Sequence, residues 1–309
     1  MREHDGIHGY AEDKFAEHDP ARFSNEPRDS MTSTLHIRSL RSDEIQLAVD
    51  WAAAEGWNPG LSDATCFGAV DPEGFLVAEQ DGAPAAVISV VNYDASFAFL
   101  GFYIVRPGLR GQGIGWALWQ AGIAHAGART IGLDGVLAQQ ENYASQGFRL
   151  AYRNIRFAGS VGPAPSEETV DLAGLPFEQV AASDAAIFPA ARPAFLRAWI
   201  AAPGHRGRAV VRDGRLAGWG VIRPARQGFK IGPLVAQDAA TARTLFRALA
   251  DLAGPSEIIL DVPEPNAAAL DLARHHGLRP VFETARMYTG PIRAVELDQL
   301  YGVTSFELG

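Results

Sequence analysis

The chain has 309 residues, 47% of them hydrophobic and 20% charged, with a formal net charge of −9. That composition suits two globular domains with separate cores, and the acidic balance speaks against a nucleic-acid partner, whose phosphates are met by lysine and arginine. A single cysteine, Cys66, excludes an internal disulfide and a thiolate metal cluster, and the scattered histidines, including adjacent His275 and His276, lack ligand spacing, so no metal is expected.

Residues 1–30 carry eight acidic and four basic side chains, have little aliphatic content, and read as a disordered extension, with Met31 as an alternative start. The pattern then gives a strand at Leu35–Arg38 and a helix over about 42–56, with Ser42 as N-cap and Ile45, Val49, Ala52 and Ala53 at helical spacing. Strands follow at Phe75–Glu79 and Ala83–Asn92, turned by Asp81-Gly82, and a third runs from Phe97 to Val105. It hands over to Arg110-Gly111-Gln112-Gly113-Ile114-Gly115 and then to a helical pattern. A glycine turn that opens a helix leaves backbone N–H groups pointing outward at the positive end of the helix dipole, a ready site for pyrophosphate. A Walker loop is ruled out because Trp116 stands where Lys is required, and the same Trp removes the third glycine of a dinucleotide fingerprint. Beyond it come a strand at Thr130–Leu133, a helix with Tyr143 four residues before Gly147-Phe148, and a closing strand near 151–157.

The turn, the Val105-Arg106-Pro107 strand end before it, and the Tyr143 to Phe148 spacing after it together resemble the GNAT acyltransferase superfamily. The resemblance implies an α/β fold with a mixed sheet and acetyl-CoA as co-substrate. It implies a pantetheine arm alongside Tyr103, Ile104 and Val105, a pyrophosphate on the amides of Arg110, Gly111, Gln112, Gly113, Ile114 and Gly115, and Tyr143 as the general acid. Many GNAT enzymes carry a glutamate on the strand before the cradle, and Phe97–Val105 has no carboxylate. That departure favours a water relay or another carboxylate, for which Asp134, Asp94 and Glu141 are the candidates. Trp57, Tyr93, Phe99 and Phe102 are candidates for the acceptor pocket, with core packing the competing reading; Trp116 and Trp119 read as packing residues.

A stretch over 158–169 rich in Gly, Pro, Ser and Glu reads as a linker, which divides the chain into a catalytic domain over 31–159, a linker over 160–170 and a second domain over 171–309. The second domain repeats the order of the first: Asp213-Gly214 as hairpin turn, a helix over Thr241–Leu252, Ile258–Asp261 in parallel with Thr130–Asp134, and a helix over Asn266–His276 before Gly277-Leu278. Hairpin glycine and strand aspartate are 52 residues apart in the first half and 47 in the second. The repeat has lost its chemistry, since Ala236–Thr241 holds no glycine and carries Asp238, and Ala273 stands in place of the tyrosine. The local cluster Phe188, Arg192, Phe195 and Trp199 reads as packing against the first domain.

The sequence thus predicts tandem GNAT-like domains, the first active and the second degenerate. The expected function is acetyl transfer from acetyl-CoA to the primary amine of a small molecule by direct transfer in a ternary complex. An acyl-CoA-sensing protein and a protein or peptide N-acetyltransferase are the alternatives. The apolar stretch around 185–202 is broken by Pro189, Arg192, Pro193 and Arg197, so no membrane contact is expected; the chain reads as cytoplasmic, and a homodimer is left open.

Overall fold

In the computed structural model, which describes residues 34–162 and 168–309, the first half runs β1 (Leu35–Ser39), α1 (Ile45–Ala54), α2 (Asp63–Phe67), β2 (Phe75–Gln80), β3 (Ala83–Asn92), β4 (Phe97–Val105), α3 (Ile114–Ala126), β5 (Thr130–Val136), α4 (Gln140–Ser145) and β6 (Arg149–Ser160). The second half follows with β7 (Val170–Asp171), α5 (Phe177–Ile187), α6 (Pro193–Ala201), β8 (Arg206–Arg212), β9 (Arg215–Pro224), β10 (Phe229–Ala236), α7 (Ala239–Asp251), β11 (Glu257–Pro263), α8 (Ala267–His275), β12 (Arg279–Tyr288) and β13 (Leu300–Gly302). The expected N-terminal extension, the Met31 start and the middle of the linker lie outside the described residues.

Both hairpins form as the turn residues require. Asp81 and Gly82, and Asp213 and Gly214, all take positive φ, the backbone of a two-residue turn whose twist matches the flanking strands. Ser42 does not cap α1. The N-cap is Glu44, whose carboxylate reaches back to the N–H of Arg41 at 2.8 Å and to the guanidinium of Arg38 at 2.7 Å.

The halves are not two separate sheets. One mixed sheet runs β1-β2-β3-β4-β5-β12-β6-β11-β10-β9-β8-β7, and β13 pairs with β10. The strand expected to close the first half, β6, lies between β11 and β12 of the second, and β12 takes the place beside β5. β6 and β12 have therefore changed places between the halves. A matched pair of buried ions locks this exchange. Asp134 on β5 receives Arg286 of β12 at 2.6 Å, and Asp261 on β11 receives Arg156 of β6 at 2.7 Å. A carboxylate in this position is tolerable only when paired, so two arginines had to arrive from outside each half.

The core follows the exchange. On one face of the sheet α1, α2, α5 and α6 share a single cluster, in which Phe67 stacks on Trp199 with ring centroids 6.2 Å apart and Tyr93 meets Phe188 at 4.8 Å. Phe188, Arg192, Phe195 and Trp199 thus pack between the halves, as expected. The other face carries a cluster beneath α3 and a second beneath α7 and α8. No helix among the described residues is long and apolar enough to cross a membrane.

Candidate active site

The site is a fork in the sheet. β4 and β5 are parallel and paired from Phe97↔Thr130 to Leu100↔Leu133, and beyond Leu100 they part. At the same point β4 carries a bulge: Ser89 faces Gly101 and Val87 faces Ile104, so that Ile88 alone stands opposite Phe102 and Tyr103. Phe102 takes φ +49, an unusual value for an aromatic residue, and the extra residue shifts the inward and outward alternation by one. Before the bulge Phe97 and Phe99 face the shared core; after it Phe102 and Ile104 do, while Tyr103 and Val105 turn to the α3 side. The edge of β4 that β5 no longer pairs lines a cleft of about 970 Å³.

At one end of this cleft lies the glycine turn. Gly111 and Gly113 adopt φ +77 and +81, which bends the chain into the N-terminus of α3. The N–H groups of Gly111 through Trp116 find no acceptor among the described residues, which is the electrostatic condition for holding an anion there. Gly115 is needed for a different reason: a Cβ there would stand 2.8 Å from the Tyr103 hydroxyl and 2.9 Å from Val105 Cγ2. The Arg110 side chain is turned away from the amides, donating to Glu55 at 2.6 Å and to the Val105 carbonyl at 3.0 Å.

Of the residues expected at the site, Tyr103, Ile104, Val105, Arg110, Gly111, Gly113, Gly115 and Tyr143 all line the cleft. Gln112 is exposed and folds its amide back on the Gly108 carbonyl, and the Ile114 side chain is buried in the core, so these two can offer only their main chain. The Tyr143 ring stacks on Trp119 at 5.9 Å and closes against Gly135, where a Cβ would come within 2.5 Å of the ring. Burial holds the Tyr143 phenol well above the usual tyrosine value and pushes that of Tyr103 up to about 12. Both remain protonated at neutral pH.

The candidate bases fare differently. Asp94 is a turn residue whose Oδ1 accepts from the N–H groups of Ser96 and Phe97, and Glu141 is exposed and does not line the cleft. Asp134 does line it, but its carboxylate is committed to Arg286 and Asn154. Trp57 and Phe102 reach the cleft; Tyr93 and Phe99 do not, because Phe99 lies where β4 is still paired with β5 and Tyr93 stands in the turn before β4. Trp116, expected as packing, is 51% exposed and stands on the cleft wall, whereas Trp119 is buried. Cys66 is buried, and its thiol is pushed up to about 12 by desolvation, which leaves it unreactive.

Sequence reasoning missed the far wall. It comes from the second half: Arg156 on the exchanged β6, Phe282 and Thr284 on β12, and Phe306 and Glu307 from the segment after β13. No local motif marks these residues. The one available signal was the matched pair Asp134 and Asp261, each on a strand where a buried acid demands a distant cation.

The fork in the second half is closed. β10 keeps the bulge, with Gly232 and Pro233 opposite Val221 alone, yet β13 pairs with β10 at Leu234↔Gly302 and Val235↔Leu300, on the stretch that corresponds to the open edge of β4. The helix that follows has its N-terminus capped from within, since Asp238 accepts from the Thr241 N–H at 2.7 Å.

Comparison with known proteins agrees with this geometry. Residues 38–149 match the acetyltransferase (GNAT) family and residues 180–302 the acetyltransferase (GNAT) domain. A holothin acyltransferase of Pseudoalteromonas sp. (strain SANK 73390) is 32% identical over 272 residues, spanning 86% of this chain and 92% of that one. Among solved structures, a Pyrococcus horikoshii protein superposes with a TM-score of 0.77 at 24% identity, covering 93% of this chain and 99% of its own. A tandem GNAT protein from the clavulanic acid biosynthesis pathway gives 0.59 at 18% identity, covering 84% and 99%. With two GNAT domains in tandem, an open fork in the first and homology to an acyltransferase along most of its length, the chain belongs to the GNAT acyltransferase superfamily.

Proposed function

We propose that the protein is a cytoplasmic N-acetyltransferase that takes the acetyl group from acetyl-CoA and passes it directly to the primary amine of a small molecule, both substrates being bound at once. The observation that carries this reading is the fork itself. Its one wall offers unpaired β4 backbone and an uncapped helix N-terminus, and its other wall offers aromatic side chains from a different part of the chain. Two chemically distinct substrates can thus approach from opposite sides without a covalent enzyme intermediate.

The residues divide the work along the cleft. The amides of Gly111 to Gly115 would hold the pyrophosphate by fixed dipoles rather than by a lysine, and the free edge of β4 at Tyr103–Val105 would pair with an extended amide-bearing arm as another strand would. A main-chain N–H on this edge can polarise a thioester carbonyl, the kind of preorganised donor worth about 10²–10³ in rate. Tyr143, kept protonated by burial, is suited to hand its proton to the departing thiolate. Trp57, Trp116, Phe282 and Phe306 present an apolar enclosure of the size that small ligands occupy. The relationship to a holothin acyltransferase supports acyl transfer as the chemistry.

The test is acceptor-dependent release of CoA thiol from acetyl-CoA across a panel of small primary amines. Tyr143→Phe is expected to lower turnover by about 10²-fold while acetyl-CoA affinity stays within twofold. Equal turnover in the variant rejects the acid role, and thiol release without an acceptor rejects direct transfer.

A further inference from the structure

Transfer to an amine also needs an acceptor for the amine proton, since a lysine-like ammonium with a pKa of about 10.4 is almost fully protonated at neutral pH. Three carboxylates line the cleft: Glu55, Asp134 and Glu307. Glu55 holds Arg110 and Asp134 holds Arg286. Glu307 is 3% exposed, and its Oε2 is buried without a hydrogen-bond partner among the described residues. Its main chain rests on Gly101, where any Cβ would collide with the Glu307 carbonyl and stand 3.2 Å from its Cα. Gly101 is the first β4 residue beyond the last pair with β5, so Glu307 sits at the root of the fork. The glycine turn begins past Val105, about 13 Å away along an extended strand. A substrate anchored by its phosphates at the turn and lying along β4 would bring its far end to Glu307.

The surroundings of Glu307 leave it free to act. Arg156, from β6, commits its guanidinium to Asp261 of β11 and to the Trp57 carbonyl, and Lys230, from β10, donates to the Asn58 carbonyl at 3.2 Å. Both cations feel the Glu307 charge, but neither forms a hydrogen bond with it. A buried carboxylate without a donor is costly, and a fold that keeps one facing a cleft has left its partner to the ligand.

Building on the acyltransferase reading above, we propose that Glu307, delivered by the second half, is the general base of the first half's reaction. Its carboxylate takes a proton from the acceptor ammonium, and the freed nitrogen forms the C–N bond to the thioester carbonyl carbon. The C–S bond then breaks, and the thiolate takes the Tyr143 proton. The nitrogen gives its second proton to the Tyr143 phenolate, and Glu307 gives the first to solvent, so the chain returns to its starting state. The second half, without a cradle of its own, thereby completes the site of the first.

The experiment compares wild type, Glu307→Gln and Glu307→Asp for amine-dependent thiol release between pH 6 and 10, with acetyl-CoA titration calorimetry on each protein. The Gln variant is expected to lose 100-fold or more in turnover at pH 7 while acetyl-CoA affinity stays within twofold. Its deficit should shrink as pH rises towards the pKa of the acceptor, because the free amine then needs no base. Lys230, which burial lowers to about 8 and the Glu307 charge raises, titrates lower still in the Gln variant, so Glu307→Asp, which keeps that charge, is the reference for the pH profile. Turnover within threefold of wild type, or a deficit independent of pH, overturns the proposal and leaves the acyltransferase reading standing. If the Gln variant fails to bind acetyl-CoA, Glu307→Asp decides: a turnover of about 1–30% supports the role, and unchanged turnover rejects it. Wild type that frees no thiol with any amine overturns both readings.

Discussion

The two forks of the sheet are built alike and used differently. Both have a two-to-one bulge, at Phe102 and Tyr103 in one half and at Gly232 and Pro233 in the other, and both have a parallel partner strand that carries a buried aspartate paired to an arginine of the opposite half. In the first half the edge of β4 beyond the bulge is open; in the second β13 lies along β10, and the Val303 N–H donates to the Asp261 carbonyl at 2.8 Å. The chain thus fills the second fork with its own backbone, in the manner by which the first fork would accept an extended ligand. The same segment goes on to set Glu307 against Gly101. The difference teaches that degeneration of the second half removed a binding site without removing its architecture, because an unpaired strand edge must be satisfied by something.

The largest expected effect would break this comparison at the cradles. Gly113→Glu places a strained, negatively charged residue at a positive-φ position in the first cradle, and calorimetry should show acetyl-CoA affinity reduced by more than about 10³-fold. Asp238→Gly in the second half uncaps α7 but should leave one acetyl-CoA site per chain, since β13 still occupies the fork. A second site in that variant would show that the cap, not the strand, closes the second fork.

A smaller effect sharpens the comparison at the exchanged strands. Asp134→Ala and Asp261→Ala each leave a buried guanidinium without its partner, and each should cost about 3–5 kcal/mol in urea unfolding. Similar losses in a single shared transition are expected from halves that trade strands. A clearly two-step unfolding curve in either variant would mean that the halves are held separately.

The most gradual effect separates the halves by pH. In the second half His205 gives its Nδ1 to the Trp199 carbonyl at 2.8 Å and buries Nε2 without a partner, and burial lowers its pKa to about 4; His276 is lowered to a similar value. The folded imidazoles stay neutral where the unfolded ones, at about 6.5, bind a proton. Their contribution is therefore complete above pH 6.5 and is lost as pH falls towards 4, by at most about 1.4 kcal/mol per unit for each histidine. Melting temperature followed over that range should fall, and His205→Gln should flatten the slope; an unchanged slope would place the acid sensitivity elsewhere.

Much of one cleft wall was legible from the sequence because its features are local. The glycine turn, the strand before it and Tyr143 all belong to one continuous stretch, where chain geometry brings neighbours in sequence together in space. The twin hairpins, and the loss of the cradle at Ala236–Thr241, were readable for the same reason. The opposite wall was not. Asp134 was considered as a base when its carboxylate is spent across the strand exchange, and Tyr93 and Phe99 were offered to a pocket that opens only where β4 parts from β5 and bulges. A bulge is a one-residue change in pairing, set by the neighbouring strand rather than by the residues that carry it.

By itself the sequence determined the superfamily, the duplication, the open cradle and its acid candidate, since each rests on glycine, turn or spacing chemistry confined to a few tens of residues. Only the tertiary structure decided that the halves exchange strands, that the second fork is filled by β13, and that Glu307 rests on Gly101, 206 residues away in the chain. Those facts depend on pairings between distant strands and on where buried charges find partners, and no local pattern encodes such pairings.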